Sequence, residues 1–304
     1  YYAAFLGKYL IESMTTIPVQ VSYASEYRFF GKNDSHSLVI AITQSGETLD
    51  TLAALKEARR NGASTLTITN IIGSTATRIS DAYILMQSGP EIGVAATKTF
   101  TSQIMLLYLI SLYFSLRFDE IGADEIHHHL KQLKNISSDI KRILEKTEDI
   151  KKIAKTLSKA SSAFFIGRGF WYPLAREGAL KLKEISYIHA EGFPAGELKH
   201  GPFALLTKDT PVIALVHSGK TYDKMLSNIG EIKARGPTVI AIAEENDDDI
   251  LKYADMVLRY PNGGEMECIF PATVILQLLS YYTALYRDCP IDKPRNLAKS
   301  VTVE

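Results

Sequence analysis

Residues 37–48 read Ser-Leu-Val-Ile-Ala-Ile-Thr-Gln-Ser-Gly-Glu-Thr, and residues 210–221 read Thr-Pro-Val-Ile-Ala-Leu-Val-His-Ser-Gly-Lys-Thr. In each, an apolar run without alternation precedes a Ser-Gly-x-Thr turn. Such runs suit strands buried on both faces, as in parallel sheets. The two serines lie 218 − 45 = 173 residues apart. A helix ending at Gly62 or Gly236 follows, at an offset of 236 − 62 = 174. Second strands follow at 65–69 and 238–242, then an aspartate before a third strand, Asp81 or Asp255, again 255 − 81 = 174 apart. A long apolar helix closes each half, near 98–117 and 271–287. A near-constant offset through three landmarks marks an internal duplication. Strands alternating with helices predict an α/β fold of two tandem, doubly wound parallel-sheet domains of the flavodoxin-like kind.

The division expected from this pattern is a first domain over 1–120, linking helices over 121–158, a second domain over 159–289 and a C-terminal tail over 290–304. Ile126, Leu130, Leu133, Ile136, Ile140 and Ile143 recur at helical spacing and mark the linker as an amphipathic helix. The second half opens with a strand, 163–167, whose counterpart would lie upstream of Tyr1. The first domain is therefore expected to lack its opening strand, and the chain to be part of a longer protein.

Bulk composition narrows the function classes. The 304 residues are 46% hydrophobic and 22% charged, and 34 basic side chains balance 34 acidic ones. No net field steers the chain toward nucleic acid or an anionic membrane, so neither is an expected partner. The longest apolar stretch, 104–116, falls short of the ~20 residues of a membrane span. No segment reads as a signal peptide. Cys268 and Cys289 have neither metal-ligand nor disulfide-framework spacing, which points to the reducing cytoplasm. His127, His128 and His129 are adjacent, and one helical turn cannot direct three adjacent residues at one ion. They read as a solvated helix patch.

Gln44 to Thr48 leaves a buried strand and enters a helix. Ser45, Gly46 and Thr48, with Thr43 and Gln44 at the strand end, suit a loop where amides and hydroxyls converge on a phosphate. The alternative is a plain helix start capped by Thr48. The twin loop, 218–221, reads as a structural turn despite Lys220. Glu177, Lys181 and Glu184 share one helical face over 172–187. Among apolar neighbours that face could tune a proton-transfer pair, and a solvated ion pair is the alternative. Residues 189–202 read as a dense irregular segment. In it His200 is either an acid–base group or a buried histidine bonded to backbone. The polar tail carries Lys299, which matters only if the tail folds over a site.

Four stretches carry a resemblance: ITQSGET (42–48), EIGVAATK (91–98), EGALKLKEISYIHAEGFPAGELKHGP (177–202) and PRNLAKSVTVE (294–304). Together they resemble the isomerase half of the glutamine–fructose-6-phosphate aminotransferase family, a pair of SIS (sugar isomerase) domains, over essentially the whole chain. The resemblance implies that Thr43, Gln44, Ser45 and Thr48 hold a sugar phosphate, and that Val94 and Ala298 line the sugar through backbone groups. It implies that Glu184 shuttles a proton between C1 and C2 and that Lys181 serves the C1 oxygen. His200 would open the ring from the neighbouring subunit of a homodimer, and Lys299 would form a Schiff base with the open-chain ketose. No cofactor and no metal are implied. Fructose 6-phosphate and glucosamine 6-phosphate are the implied substrate and product, with ammonia supplied by a glutaminase domain of the same full-length chain.

Two positions depart from the family pattern. Thr43 replaces the usual serine and keeps a hydroxyl; Ala96 stands where serine is common and removes one. The alternatives are a non-catalytic sugar-phosphate-binding protein of the same fold, or a related deglycase or deaminase. A sensor has no use for Glu184, Lys181 and Lys299 together.

Overall fold

The computed structural model describes residues 1–299 and divides into two compact units. The first comprises 3–120 and the tail from Asn296; the second comprises 121–295.

In the first unit, helices α1 (Tyr2–Met14) and α2 (Ala24–Phe30) precede β1 (Leu38–Ile42), α3 (Leu49–Arg60), β2 (Ser64–Thr69), α4 (Thr75–Ile79), β3 (Ala82–Leu85) and α5 (Lys98–Arg117). The strands form a parallel sheet in the order β1-β2-β3. Leu52 and Leu55 of α3 pack with Ala76, Ala41 and Ile79. Gly7 lets α1 approach α5 so closely that a β-carbon there would meet Leu107 at 2.9 Å.

The second unit begins with α6 (Ala123–Glu145) and α7 (Glu148–Leu157). Then come β4 (Ser162–Gly167), α8 (Trp171–Ser186), β5 (His189–Pro194), β6 (Val212–Leu215), α9 (Tyr222–Lys233), β7 (Val239–Glu244), β8 (Met256–Tyr260) and α10 (Glu265–Tyr286). Its five strands are all parallel in the order β5-β4-β6-β7-β8. By strand number within the unit this is 2-1-3-4-5, the flavodoxin-like order, with its switch point between β4 and β6. One face of the sheet packs Phe164, Ile166, Val212, Ala214, Val239 and Ala241 against Met225, Ile229 and Ile232 of α9. Alternate residues face the other way; Phe165 and Leu276 close on Gly178 of α8.

The duplication is visible in hydrogen bonds. Asp81 accepts the Thr65 amide at 2.8 Å, and Asp255 accepts the Val239 amide at 2.8 Å. These donors are 239 − 65 = 174 residues apart, as are the acceptors. Each aspartate ties the start of one strand to its neighbour. Among the described residues, the first sheet has no counterpart of β4 or β5.

Several sequence expectations need correction. The segment after α8 is not wholly irregular: His189–Pro194 pairs with β4 as an edge strand. Gly192 and Pro194 hid it, yet an edge strand tolerates proline, and Gly192 is needed because a β-carbon would lie 2.5 Å from the Arg176 Cα. The last helix starts at Glu265, six residues before the expected 271, and carries Pro271 internally. Helices α5 and α10 run 20 and 22 residues, each long and apolar enough to cross a membrane by length and composition. The apolar run 104–116 underestimated the first of these, because polar residues lie inside the helix. Most of α10 is buried in the unit's core, and α5 is half buried. His129 is not part of a solvated patch: its Nδ1 lies 3.4 Å from Glu267 Oε1 on α10.

Gly167 ends β4 against the first turn of α8, where a β-carbon would sit 2.2 Å from the Trp171 carbonyl oxygen. Gly167→Ala must push α8 off the sheet. Overpacking of this kind costs about 1–3 kcal/mol. The expected result is a thermal midpoint lower by about 2 °C or more, read by circular dichroism.

Candidate functional site

The functional candidates fall on two constellations, one in each unit. In the first, the loop after β1 turns sharply at Gly46, with φ 72°. A β-carbon there would meet the Ser74 Oγ at 2.2 Å, so only glycine fits. The Gly46 amide donates to Thr43 Oγ1 and the Glu47 amide to Ser45 Oγ, each at 3.2 Å. Glu47 accepts the Thr75 amide at 2.7 Å, and this bond holds its carboxyl below the usual range. Thr48 occupies the N-cap position of α3, but its side chain makes no capping bond. The expectation of a Thr48 side-chain cap is therefore corrected, and its hydroxyl is available at the helix N-terminus. The buried Ser74 hydroxyl lacks a hydrogen-bond partner among the described residues. Hydroxyls and amides at the carboxyl end of a parallel strand and a helix N-terminus make a site suited to an anion.

The same unit holds the tail. Lys299 Nζ lies 3.1 Å from Glu91 Oε2 and donates to the Gly93 carbonyl at 2.7 Å. Val94 and Ala298 adjoin these two contacts in sequence, so the loop over 91–94 and the tail meet. Burial raises the Glu91 carboxyl, whose side chain is 4% exposed, but three groups overcome it. They are the Thr99 hydroxyl, the Thr97 amide at 2.7 Å and the Lys299 ammonium, and the net shift is downward. Glu91 was not singled out from sequence. Its only signal was its place at the head of EIGVAATK. Residues 300–304 of the PRNLAKSVTVE stretch lie outside the described residues.

In the second unit, α8 presents Glu177, Lys181 and Glu184 on one face. Lys181 Nζ sits 2.6 Å from Glu184 Oε2 and 3.4 Å from Glu177 Oε1. The lysine side chain is 4% exposed, against 20% for Glu184. The alternative of a solvated pair is thus excluded. Burial lowers the Lys181 pKa, but the two carboxylates outweigh it and the net shift is upward. Burial pushes the Glu177 carboxyl up against the Lys181 attraction. The trio is a buried ammonium with one sealed acid and one partly accessible carboxylate.

His200 sits on an exposed turn between two short 3-10 segments, Ala195–Glu197 and Pro202–Leu205. Its side chain is 64% exposed, with Nε2 4.0 Å from Glu197 Oε2. The alternative of a buried, backbone-bonded histidine is overturned. It makes no hydrogen bond to Lys181 or Glu184.

Comparison with known proteins follows the same division. The SIS domain family model matches residues 1–113 and 156–287. The glutamine–fructose-6-phosphate aminotransferase [isomerizing] of Methanosarcina acetivorans is 52% identical over 305 aligned positions, covering 100% of this chain and 49% of that protein. That of Chlorobaculum tepidum is 46% identical, with 100% and 50% covered. The chain thus spans about half the length of the curated relatives it matches. Among solved structures, the C-terminal domain of glucosamine-fructose-6-phosphate aminotransferase from Francisella tularensis superposes with a TM-score of 0.92 at 38% identity, covering 97% of this chain and 84% of that one.

Lys181→Met leaves Glu177 and Glu184 facing each other without their cation. Breaking a buried ion pair on one side costs about 3–5 kcal/mol, so the urea midpoint should fall accordingly. The pH profile adds a second readout. A lysine whose folded pKa is raised contributes fully below the unfolded value of ~10.4 and loses that contribution as pH climbs through the folded value. Wild-type stability should therefore fall in that alkaline window by a component that Lys181→Met lacks.

Glu91→Gln removes the charge that holds Lys299. Tryptic cleavage after Lys299 at neutral pH should become faster, as read by mass spectrometry of the released C-terminal peptide.

Proposed function

Because the chain belongs to the SIS domain family, we propose that it is the isomerase half of a glutamine–fructose-6-phosphate aminotransferase and acts on fructose 6-phosphate. The observation that carries the reading is the buried Lys181–Glu184 pair at 2.6 Å on α8, in a chain that also holds an anion-type loop and a tethered tail lysine. A protein that only bound sugar phosphate would gain nothing from sealing a lysine between two carboxylates.

The phosphate rests on Thr43, Gln44, Ser45 and Thr48, with Val94 and Ala298 lining the sugar. His200 opens the ring by moving a proton between the ring oxygen and the anomeric hydroxyl; its exposure supports a role in the site of a partner subunit. Lys299, released from Glu91 and Gly93, attacks the C2 carbonyl once its amine is neutral. Water leaves, and a Schiff base forms. Ammonia displaces the lysine as an imine of the sugar. Glu184 then takes the proton from C1 and returns it at C2, which converts ketose to aldose oxidation level without an external oxidant. Lys181 relays the proton that the C1 hydroxyl gives up as it becomes the aldehyde, and the imine nitrogen gains one as it becomes the amine. A homodimer follows from the His200 role. A glutaminase domain would supply ammonia, in keeping with relatives about twice this length. The cysteines Cys268 and Cys289, both free thiols, suit a reducing cytoplasm.

Borohydride treatment with fructose 6-phosphate should leave a reduced adduct on the Lys299 peptide, detected by mass spectrometry and absent in Lys299→Arg. Glu184→Gln should keep the adduct while slowing exchange of the C1 proton with solvent by about 10²–10⁴-fold. Sugar-phosphate binding without an adduct would sink the Schiff-base step.

A further inference from the structure

The second loop of the duplication takes no part in the proposed reaction. His217 follows β6, Glu244 ends β7, and Cys268 lies near the start of α10. All three are buried, at 8%, 3% and 2% exposed. One ligand atom from each lies within 4.8 Å of the others. We propose that His217 Nε2, Glu244 and Cys268 Sγ form a site for one thiophilic divalent cation of the zinc class, joining the ends of β6 and β7 to α10.

Geometry supports the donor set. His217 Nε2 is 3.6 Å from Glu244 Oε1. Donors sharing a tetrahedral zinc lie roughly 3.3–3.8 Å apart, given metal–ligand bonds of about 2.0–2.3 Å. That pair is already in place, and Cys268 Sγ lies within 4.8 Å of both, donating for now to the Pro261 carbonyl at 3.6 Å. Nε2 also meets the Gly263 carbonyl at 3.4 Å, a weak hydrogen bond. Nδ1 is buried with no hydrogen-bond partner among the described residues. On its side lies Glu265. A β-carbon on Gly219 would meet both Nδ1 and Glu265 Oε2 at 3.2 Å. A carboxylate behind the ring is the usual outer-shell partner of a metal-bound imidazole. Trp171 stacks on His217 at 5.5 Å between centroids and donates Nε1–H to Glu265 at 3.1 Å, which fixes the ring from one face.

Electrostatics favours a cation. The carboxylates of Glu244, Glu267, Asp139 and Glu265 surround Cys268. Nearby Arg259 is committed to the carbonyl oxygens of Glu244 and Asp247, at 2.7 and 2.6 Å. Glu244 also accepts the Ser218 amide at 2.8 Å, so the loop amide that could meet an anion is occupied by a carboxylate. The twin of the phosphate loop has thus acquired the opposite preference. Cys268 lines a cavity of ≈ 200 Å³ with Gln132, Asn135, Asp139 and Glu267, a polar approach to its side of the cluster. Binding forms the Zn–S bond and releases the thiol proton to solvent. The site lies at the carboxyl ends of the central strands, where open parallel sheets take their ligands.

The test is metal titration of the chelator-stripped chain, followed by absorption and by competition with a chromophoric chelator. One equivalent of Co²⁺ should produce a thiolate-to-cobalt charge-transfer band in the near ultraviolet, displaced by Zn²⁺. Cys268→Ala should abolish the band and weaken Zn²⁺ binding by more than ~100-fold, beyond the ~10–100-fold that loss of an outer-shell partner costs. Cys289→Ala should retain both. Wild-type protein that gives no band overturns the proposal, whether or not the variants fold. So does binding that survives Cys268→Ala, which would locate the ion elsewhere. The Lys299 adduct is read separately, so failure of this site leaves the isomerase reading standing.

Discussion

Burial of parallel strands on both faces constrains everything else in this protein. The strands β4, β6 and β7 spend nearly all their side chains on packing, while β1, expected to be buried, is only partly so and leaves Leu38 exposed; backbone groups of all of them go to one another. Polar chemistry is thereby confined to strand ends, to the loops that follow them, and to helix faces turned away from the core. The loop at Thr43–Thr48 and the His217–Glu244–Cys268 cluster obey that confinement; the Lys181 trio is the exception, on a buried helix face where its charges pair with one another. The two aspartates that receive strand amides, Asp81 and Asp255, show the same rule at the other ends of the sheets.

Within this frame the two units diverge in chemistry while keeping their topology. After β1, Gly46 and the surrounding hydroxyls leave room for an anion. After β6, Glu244 reaches back to the Ser218 amide and His217 packs under Trp171. One carboxylate at the end of β7 therefore occupies an amide in the second loop whose counterpart in the first has no such partner among the described residues. Duplication supplies the scaffold twice, and a few end-of-strand side chains decide what each copy holds.

The buried lysine on α8 is tuned by its neighbours. An ammonium sealed from water is costly unless paired and hydrogen-bonded, and Lys181 has a carboxylate on either side. Glu184 is the more accessible of the two. Lys299 is the contrasting case: a tail residue held by the Glu91 side chain and the Gly93 carbonyl, and less buried than Lys181.

The sequence by itself determined the duplication, the strand and helix order, the loop at 44–48 and the shared face of Glu177, Lys181 and Glu184. These are local patterns or regular repeats, and a period of 2, 3.6 or 174 residues is legible without coordinates. Its motifs also led to the family. Only the tertiary structure decided burial and long-range partnership. It showed that Lys181 is sealed, that His200 is exposed, that Thr48 makes no side-chain cap and that 189–194 is an edge strand despite its glycine and proline. It paired Glu91 with Lys299, 208 residues away, and gathered His217, Glu244 and Cys268 from three separate elements. No periodicity encodes such meetings, because they depend on how strand ends and a distant helix converge after the core has packed.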